Sequence, residues 1–132
     1  MTLYDWAREI HANAVDKGWW ETDRPLPEIL MLCVSELAEA LEAYRIGAPD
    51  ECITCTADPT GENCIESACC FFQQGKCVDG KQKPNGIAVE MADCIIRILD
   101  YAGRMGWDMD GIVAAKHEYN KNRPYRHGGK RA

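Results

Sequence analysis

Residues 30–44 have the sequence LMLCVSELAEALEAY, and this stretch carries the pattern that decides the fold. Apolar side chains recur there three and four positions apart, which is the spacing of one face of an α-helix. The same spacing appears in three other segments, the last of which follows a helix cap supplied by Asp108 or Asp110. Those segments are residues 3–17, 87–102 and 108–119. The sequence therefore predicts an all-α fold of the four-helix-bundle type.

The helical spacing is lost between residues 49 and 84, where Gly, Pro, Asn and Asp become frequent. Six of the eight cysteines lie in this segment. We therefore expect a single domain, residues 1–132, with an irregular cysteine-rich insertion at 49–84 between the second and third helices. The cysteines leave two alternatives open: a structural zinc site, or no metal, with free thiols or disulfides. The candidate zinc ligands are Cys52, Cys55, Cys64 and Cys69.

The composition narrows the class of protein. A formal net charge of -6 argues against general binding to nucleic acid, whose phosphates repel an acidic surface. The amino terminus lacks the basic region and apolar run of a signal peptide, and no segment approaches the length of about 18 apolar residues that crosses a bilayer. We therefore expect a cytoplasmic protein without a membrane partner. A helical bundle of 132 residues often completes its core by association, so we expect a homodimer or homotetramer.

Two pairs of acidic residues lie beside apolar stripes on the second and third helices. Glu36 and Glu39 are three positions apart, so their side chains are about 60° apart on one helix face. Glu90 and Asp93 repeat this spacing. If the two helices pack antiparallel, the four carboxylates converge, and a hard divalent cation removes the repulsion between them. The alternative is that both pairs are solvated helix edges.

Oxygen ligands of this kind favour magnesium, with manganese as a substitute, over zinc. The apolar stripe beside the first pair is expected to form the core, and consists of Leu30, Val34, Leu37 and Leu41. A basic segment, residues 116–131, supplies cations suited to phosphate groups inside an otherwise acidic chain. For Asp100 we favour a pair with Arg97 or Arg104 over metal ligation. For Trp19 and Trp20, core or oligomer contacts and stacking on a base are equal alternatives.

At this point the chain resembles a known family. Glu36-Leu-Ala-Glu39 followed by Glu90-Met-Ala-Asp93 is similar to the paired ExxE and ExxD motifs of the all-α nucleotide pyrophosphatases, and of MazG-like proteins in particular. The flanking segments resemble the same proteins in the same order, whereas the cysteine-rich insertion departs from them. The matching segments are 11–13, 17–20, 35–45, 86–100 and 116–130.

The resemblance implies an enzyme that hydrolyses a nucleoside triphosphate, often a deoxynucleotide, to monophosphate and pyrophosphate. Glu36, Glu39, Glu90 and Asp93 would bind magnesium, and one of them, or Glu42, would activate the attacking water. The residues expected to hold the phosphates are Lys116, Asn120, Arg123 and Arg126. The residues expected near the base and sugar are His11, Asn13, Lys17 and Trp20.

Two other functions remain as alternatives. The first is a regulatory module that binds a nucleotide without cleaving it, or that binds a partner through the cysteine-rich insertion. The second is a pyrophosphohydrolase for a modified or alarmone nucleotide.

Overall fold

The computed structural model describes residues 1–55, 72–73, 76–77 and 82–126, with side chains described for 1–53 and 83–126. Helices dominate this part of the chain, which confirms the predicted helical class. The helices are α1 (Leu3–Asp16), α2 (Leu26–Arg45), α3 (Ile87–Met105) and α4 (Met109–Lys121). The strands are β1 (Cys52–Cys55), β2 (Phe72–Gln73), β3 (Lys76–Cys77) and β4 (Gln82–Asn85).

The helices begin where side chains can satisfy their first backbone N–H groups. Thr2 and Asp5 form a reciprocal capping box at the start of α1. Asp108 caps α4 by accepting a hydrogen bond from the backbone N–H of Gly111, so of the two predicted caps Asp108 is the one used. α2 begins at Leu26, four residues earlier than the apolar pattern predicts, because proline is tolerated in the first helical turn.

The sequence predicted an irregular insertion, but two short antiparallel strand pairs lie within it. β1 pairs antiparallel with β4, and Cys52 lies opposite Asn85 in this ladder. β2 and β3 form a second antiparallel pair. A two-stranded ladder between the ends of a segment is held by backbone hydrogen bonds, and therefore needs no alternating apolar pattern that the sequence would reveal.

The chain forms two compact units. The first comprises Met1–Ile29 together with the chain from Ile96 onward, and the second comprises Leu30–Ile95. The core of the first unit contains small residues that let helices approach closely: a Cβ added at Gly103 would lie 2.3 Å from the backbone oxygen of Ala7. Its buried residues are Ala7, Leu99 and Ala102, with Ile10 and Met109 packed against them.

In the second unit the buried face of α2 differs from the predicted one. Cys33, Glu36 and Ala40 are buried, at the helical spacing of three and four residues. The stripe of larger side chains, predicted as core, is instead 48–54% exposed. This stripe consists of Leu30, Val34, Leu37 and Leu41. Periodicity identifies an apolar face, but it does not tell whether that face packs within the chain or remains accessible to another chain.

Among the described residues, no helix is both long enough and apolar enough to cross a membrane. α2 and α3 are the longest helices, with 20 and 19 residues. Charged side chains interrupt both, and these include Glu36 and Glu39 in α2 and Glu90, Asp93 and Arg97 in α3.

Candidate functional site

Three of the four predicted metal ligands converge within the second unit. One carboxylate oxygen each from Glu36, Glu39 and Glu90 lies within 4.8 Å of the other two. Glu36 is only 7% exposed, Glu90 is half-buried, and Glu39 is exposed. Both helices contribute, because Glu36 and Glu39 occupy one face of α2 and Glu90 lies in the first turn of α3. We call these three residues the acidic cluster.

Within the acidic cluster, the surroundings of Glu90 disfavour its ionised form. Burial raises the pKa of Glu90 above its ordinary value of 4.5, and a hydrogen bond with Glu39 raises it further. The negative charges of Glu39, Asp93 and Glu36 act in the same direction. Two ionised carboxylates at this separation repel by about 3 kcal/mol at an effective dielectric constant near 20, and by less where water screens the exposed Glu39. Glu90 is therefore suited to binding a proton or a metal ion.

The donor set suits a hard divalent ion. Magnesium binds oxygen ligands at about 2.1 Å, so two ligands of one ion are at most about 4.2 Å apart. The observed spread of up to 4.8 Å closes to that value with small side-chain rotations. Cys33 precedes Glu36 by one turn and Cys94 follows Glu90 by one turn, and both are buried.

Asp93 and Glu42 differ in their relation to the acidic cluster. Asp93 is half-buried, and its charge contributes to the raised pKa of Glu90, which places it in the electrostatic surroundings of the cluster. Glu42 is exposed and lies 4.0 Å from Arg45, measured from Oε2 to Nη1. Glu42, the alternative water-activating residue, is not one of the three residues whose carboxylate oxygens converge.

The predicted phosphate-binding residues lie on α4 and just after it, in the first unit. Lys116 and Arg123 both approach the ring of Tyr119, with Nζ 4.8 Å and Cζ 5.8 Å from its centroid. Asn120 is exposed on the same helix, and Arg126 lies 5.6 Å from the ring of Tyr125. Two cations on one aromatic ring form a basic surface that suits a polyanion.

His11 and Trp20, two of the residues predicted near the base, meet at Asp100. Nδ1 of His11 lies 2.7 Å from Oδ1 of Asp100. The indole N–H of Trp20 donates to both carboxylate oxygens, at 3.0 and 3.1 Å. The rings of His11 and Trp20 contact edge to face, with centroids 5.5 Å apart. A pair between Asp100 and Arg97 or Arg104 had been predicted. Asp100 instead contacts His11 and Trp20, and Arg104 pairs with Asp23.

Two arginines complete the surroundings of Trp20. The guanidinium of Arg104 lies 5.1 Å from the Trp20 ring and 3.3 Å from Asp23. Arg24 lies 5.7 Å from the ring of Trp19 and 5.9 Å from that of Trp20. The segment between α1 and α2 thus contacts α3 through Arg104, whereas Arg24 contacts the two indole rings of the segment itself.

The other predicted base and sugar residues are exposed. Asn13 lies on the surface of α1, and Lys17 contacts Asp16 at 3.6 Å just after that helix. Neither takes part in the contacts around Asp100 described above. Both remain candidates on the accessible surface of the first unit.

The predicted zinc site falls largely outside the described residues. Cys52 is half-buried in β1. The side chain of Cys55 and all of Cys64 and Cys69 lie outside the described part of the chain.

Sequence reasoning missed the role of Asp100 as the shared acceptor of His11 and Trp20. These residues are 89 and 80 positions apart along the chain, and local spacing carries no signal for such a contact. It also missed Arg24, whose contacts depend on the course of the segment before α2. Only the acidic pairs, which repeat at helical spacing, had a local pattern that predicted their convergence.

No protein-family model matches the chain, and neither a curated protein nor a solved structure matches it. The geometry of the two units is therefore the basis for the function proposed below.

Proposed function

We propose that this protein is a magnesium-dependent nucleoside triphosphate pyrophosphohydrolase of the MazG-like type. It cleaves a nucleoside or deoxynucleoside triphosphate between the α and β phosphates, with water as the nucleophile. The observation that carries the proposal is the convergence of Glu36, Glu39 and Glu90 from two helices, with their oxygens within 4.8 Å. Carboxylates held at this separation suit a magnesium ion that also binds phosphate oxygens.

Each residue of the acidic cluster has a distinct part in the proposal. Glu36, the most buried, would hold the ion in a fixed place, and Glu39 and Glu90 would supply two further ligands. Asp93, whose charge acts on Glu90, is the fourth proposed ligand. When bound, magnesium neutralises phosphate charge and lowers the pKa of coordinated water. One of these four carboxylates would orient the attacking water or accept a proton from it.

The substrate groups are assigned to the first unit. We propose that cations on and after α4 bind the phosphates, supported by the shared approach of Lys116 and Arg123 to Tyr119. The base and sugar are assigned to the surroundings of His11 and Trp20. The full proposed sets are Lys116, Asn120, Arg123 and Arg126 for phosphates, and His11, Asn13, Lys17 and Trp20 for the nucleoside.

The proposal is tested with purified protein, magnesium and a panel of nucleoside triphosphates, including modified and alarmone nucleotides. Pyrophosphate release is expected for at least one nucleotide, and Glu39→Gln or Asp93→Asn should abolish it. Glu9→Gln is the matched control, because Glu9 is an exposed glutamate on α1. Nucleotide binding without turnover would instead identify a regulatory module, and inactivity on every nucleotide would contradict the proposed function.

We also propose that the chain acts as a homodimer or homotetramer through the exposed stripe of α2. The four side chains of this stripe, about half exposed, extend over three turns of one helix. Soluble proteins rarely leave such contiguous apolar surfaces uncovered. Two copies of one helix face are self-complementary about a twofold axis, which is the commonest symmetry of homo-oligomers.

The oligomer is tested by light scattering coupled to size-exclusion chromatography. The wild-type protein is expected at the mass of two or four chains. Leu37→Glu places a charge in the centre of the stripe and should shift the protein toward the monomer, whereas Glu9→Gln should not. A wild-type mass of one chain across the accessible concentration range would contradict this assignment.

A further inference from the structure

The first backbone N–H groups of α3 are held by the segment that follows α2. The N–H of Ile87 donates to the carbonyl of Pro49 at 3.2 Å, and the N–H of Ala88 donates to the carbonyl of Asp50 at 2.9 Å. The first N–H groups of a helix have no acceptor within the helix itself, so they are available for contacts of this kind. We call these two hydrogen bonds the clasp.

Gly86 allows the two backbones to approach closely enough to form the clasp. Its φ is 117°, in a region that residues other than glycine rarely adopt. A Cβ at this position would lie 2.6 Å from the carbonyl oxygens of both Pro49 and Asp50. Because these oxygens belong to the backbone, no rotation of a side chain relieves the contact. A larger residue at position 86 would therefore push the start of α3 away from the segment after α2.

The clasp connects the two helices that carry the acidic cluster. The backbone N–H of Glu90 donates to the carbonyl of Gly86 at 3.1 Å, so the residue beside the clasp begins the turn that ends at Glu90. On the other side, α2 carries Glu36 and Glu39. The β1–β4 ladder joins the same two segments next to the clasp. All of these residues lie within the second unit.

We propose that Gly86 is a positioning residue for the acidic cluster, and that it acts through the clasp to set the place of Glu90 relative to Glu36 and Glu39. Magnesium demands a nearly ideal arrangement of its ligands, so a small shift of one carboxylate weakens its binding. Gly86 has no side chain that could touch the ion. The inference rests on the proposed function, which supplies magnesium as the ligand, and it adds the backbone contact that fixes the site.

Gly86→Ala tests the positioning role, with Gly47→Ala as the matched control. Gly47 lies in the same unit and has a φ of 74°, but a Cβ there would meet nothing within 4 Å. Both variants therefore strain the backbone, whereas only Gly86→Ala opens the clasp. In calorimetric titrations, Gly86→Ala should weaken magnesium binding by about tenfold or more, and Gly47→Ala by less than about threefold. Wild-type affinity in Gly86→Ala, or equal losses in the two variants, would overturn the proposal.

NMR tests the clasp and the cluster without metal or nucleotide. Amide hydrogen exchange at Ile87 and Ala88 should be slowed by about 100-fold or more in the wild-type protein, relative to an unstructured peptide, and should approach the peptide rate in Gly86→Ala. Nuclear Overhauser contacts between the side chains of Glu39 and Glu90 should be present in the wild-type protein and lost in Gly86→Ala. Peptide-like exchange in the wild-type protein, or retention of those contacts in the variant, would contradict the proposal.

Asn85→Ala replaces Gly86→Ala if that variant does not fold. The side-chain oxygen of Asn85 accepts a hydrogen bond from the N–H of Gly86 at 3.0 Å, so its loss loosens the same turn without adding a Cβ to it. Exchange at Ile87 and Ala88 should quicken, and magnesium affinity should fall by about threefold. Quicker exchange with unchanged affinity would overturn the proposal.

The two proposals fail in different ways. A wild-type protein that binds no magnesium, but loses the contact between Glu39 and Glu90 on Gly86→Ala substitution, would refute the proposed function and support the positioning role of Gly86. Magnesium binding and pyrophosphate release that are unaffected by Gly86→Ala would refute the positioning role and leave the proposed function intact.

Discussion

Two of the acidic side chains of helix α3, Glu90 and Asp100, have opposite surroundings. Near its start, Glu90 lies among other carboxylates, and its pKa is raised by burial and by hydrogen bonding with Glu39. Near its end, Asp100 lies among donors and accepts hydrogen bonds from the indole of Trp20 beside the His11 ring. A carboxylate surrounded by donors is satisfied by the protein alone, whereas one surrounded by carboxylates needs a proton or a cation.

A buried carboxylate thus has two different uses in this protein. In the second unit, the carboxylate of Glu90, whose pKa is raised by burial and by neighbouring carboxylates, is suited to binding a proton or an ion. In the first unit, a compensated charge is suited to fixing the orientation of rings. Burial alone does not distinguish them, because Glu36 and Asp100 are both largely covered. The two uses are distinguished by the polar groups nearest to each carboxylate.

The largest expected effect is a loss of activity that distinguishes Glu36 from Asp100. Glu36→Gln removes the most buried proposed ligand, so kcat for pyrophosphate release should fall by about 100-fold or more. Asp100→Asn should change kcat by less than about tenfold, because it leaves the proposed metal ligands in place. Steady-state kinetics on one nucleotide measure kcat for both variants. Equal losses of kcat in the two variants would remove the distinction.

A second prediction concerns the packing that brings α1 to Asp100. A Cβ at Gly103 would lie 2.3 Å from the backbone oxygen of Ala7 and 2.7 Å from Cβ of His11. Gly103→Ala should therefore lower the free energy of unfolding by about 1–3 kcal/mol or more. Urea denaturation followed by circular dichroism measures the change. A loss below about 0.5 kcal/mol would mean that the helices separate easily here, and that His11 is less firmly placed than described.

The pH dependence of stability tests the acidic cluster without substrate. The raised pKa means that folded Glu90 binds its proton more tightly than the unfolded chain does, where the ordinary value is 4.5. Its contribution to stability is thus present below pH 4.5 and is lost as the pH rises from there through the raised pKa. Thermal unfolding without metal should show this decline, and Glu90→Gln should remove that part of it. Magnesium should offset the decline, because it replaces the proton.

The smallest effect concerns a third kind of carboxylate, one satisfied by backbone groups. Asp110 accepts hydrogen bonds from the backbone N–H groups of Leu3 and Tyr4, at 3.0 and 2.9 Å. Asp110→Ala should lower the free energy of unfolding by about 1 kcal/mol, because the backbone N–H groups of Leu3 and Tyr4 lose their acceptor. Asp16→Ala is the control, since Asp16 is exposed at the other end of α1. A loss no greater than that of the control would contradict the capping role.

Much of the helical framework was predictable because helices depend on local patterns. The spacing of apolar residues located all four helices, and Gly106, with a φ of 68°, ends α3 where the sequence predicted. The placement of Glu36 and Glu39 on one face was predictable for the same reason, since they have i, i+3 spacing, whereas their approach to Glu90 was predicted only on the condition that the two helices pack together. The antiparallel β1–β4 ladder had no such local signal.

Contacts between distant segments were not predictable from one sequence. The large stripe of α2 was expected in the core, but the smaller face with Cys33 and Ala40 is the buried one, and Leu37 remains half exposed. Both faces have helical spacing, so periodicity does not choose between them. The partners of Asp100 were missed because they depend on how α1 and the following segment fold back.

Calorimetric titration of the metal-free protein with magnesium tests the central claim most directly. Performed in two buffers with different heats of ionisation, it measures both ion binding and proton release. The account predicts binding with release of protons near the raised pKa of Glu90, and loss of binding in Glu36→Gln and Glu39→Gln but not in Glu9→Gln. Absence of binding in the wild-type protein, or equal binding in all four proteins, would contradict the assignment of Glu36, Glu39 and Glu90 as a metal centre.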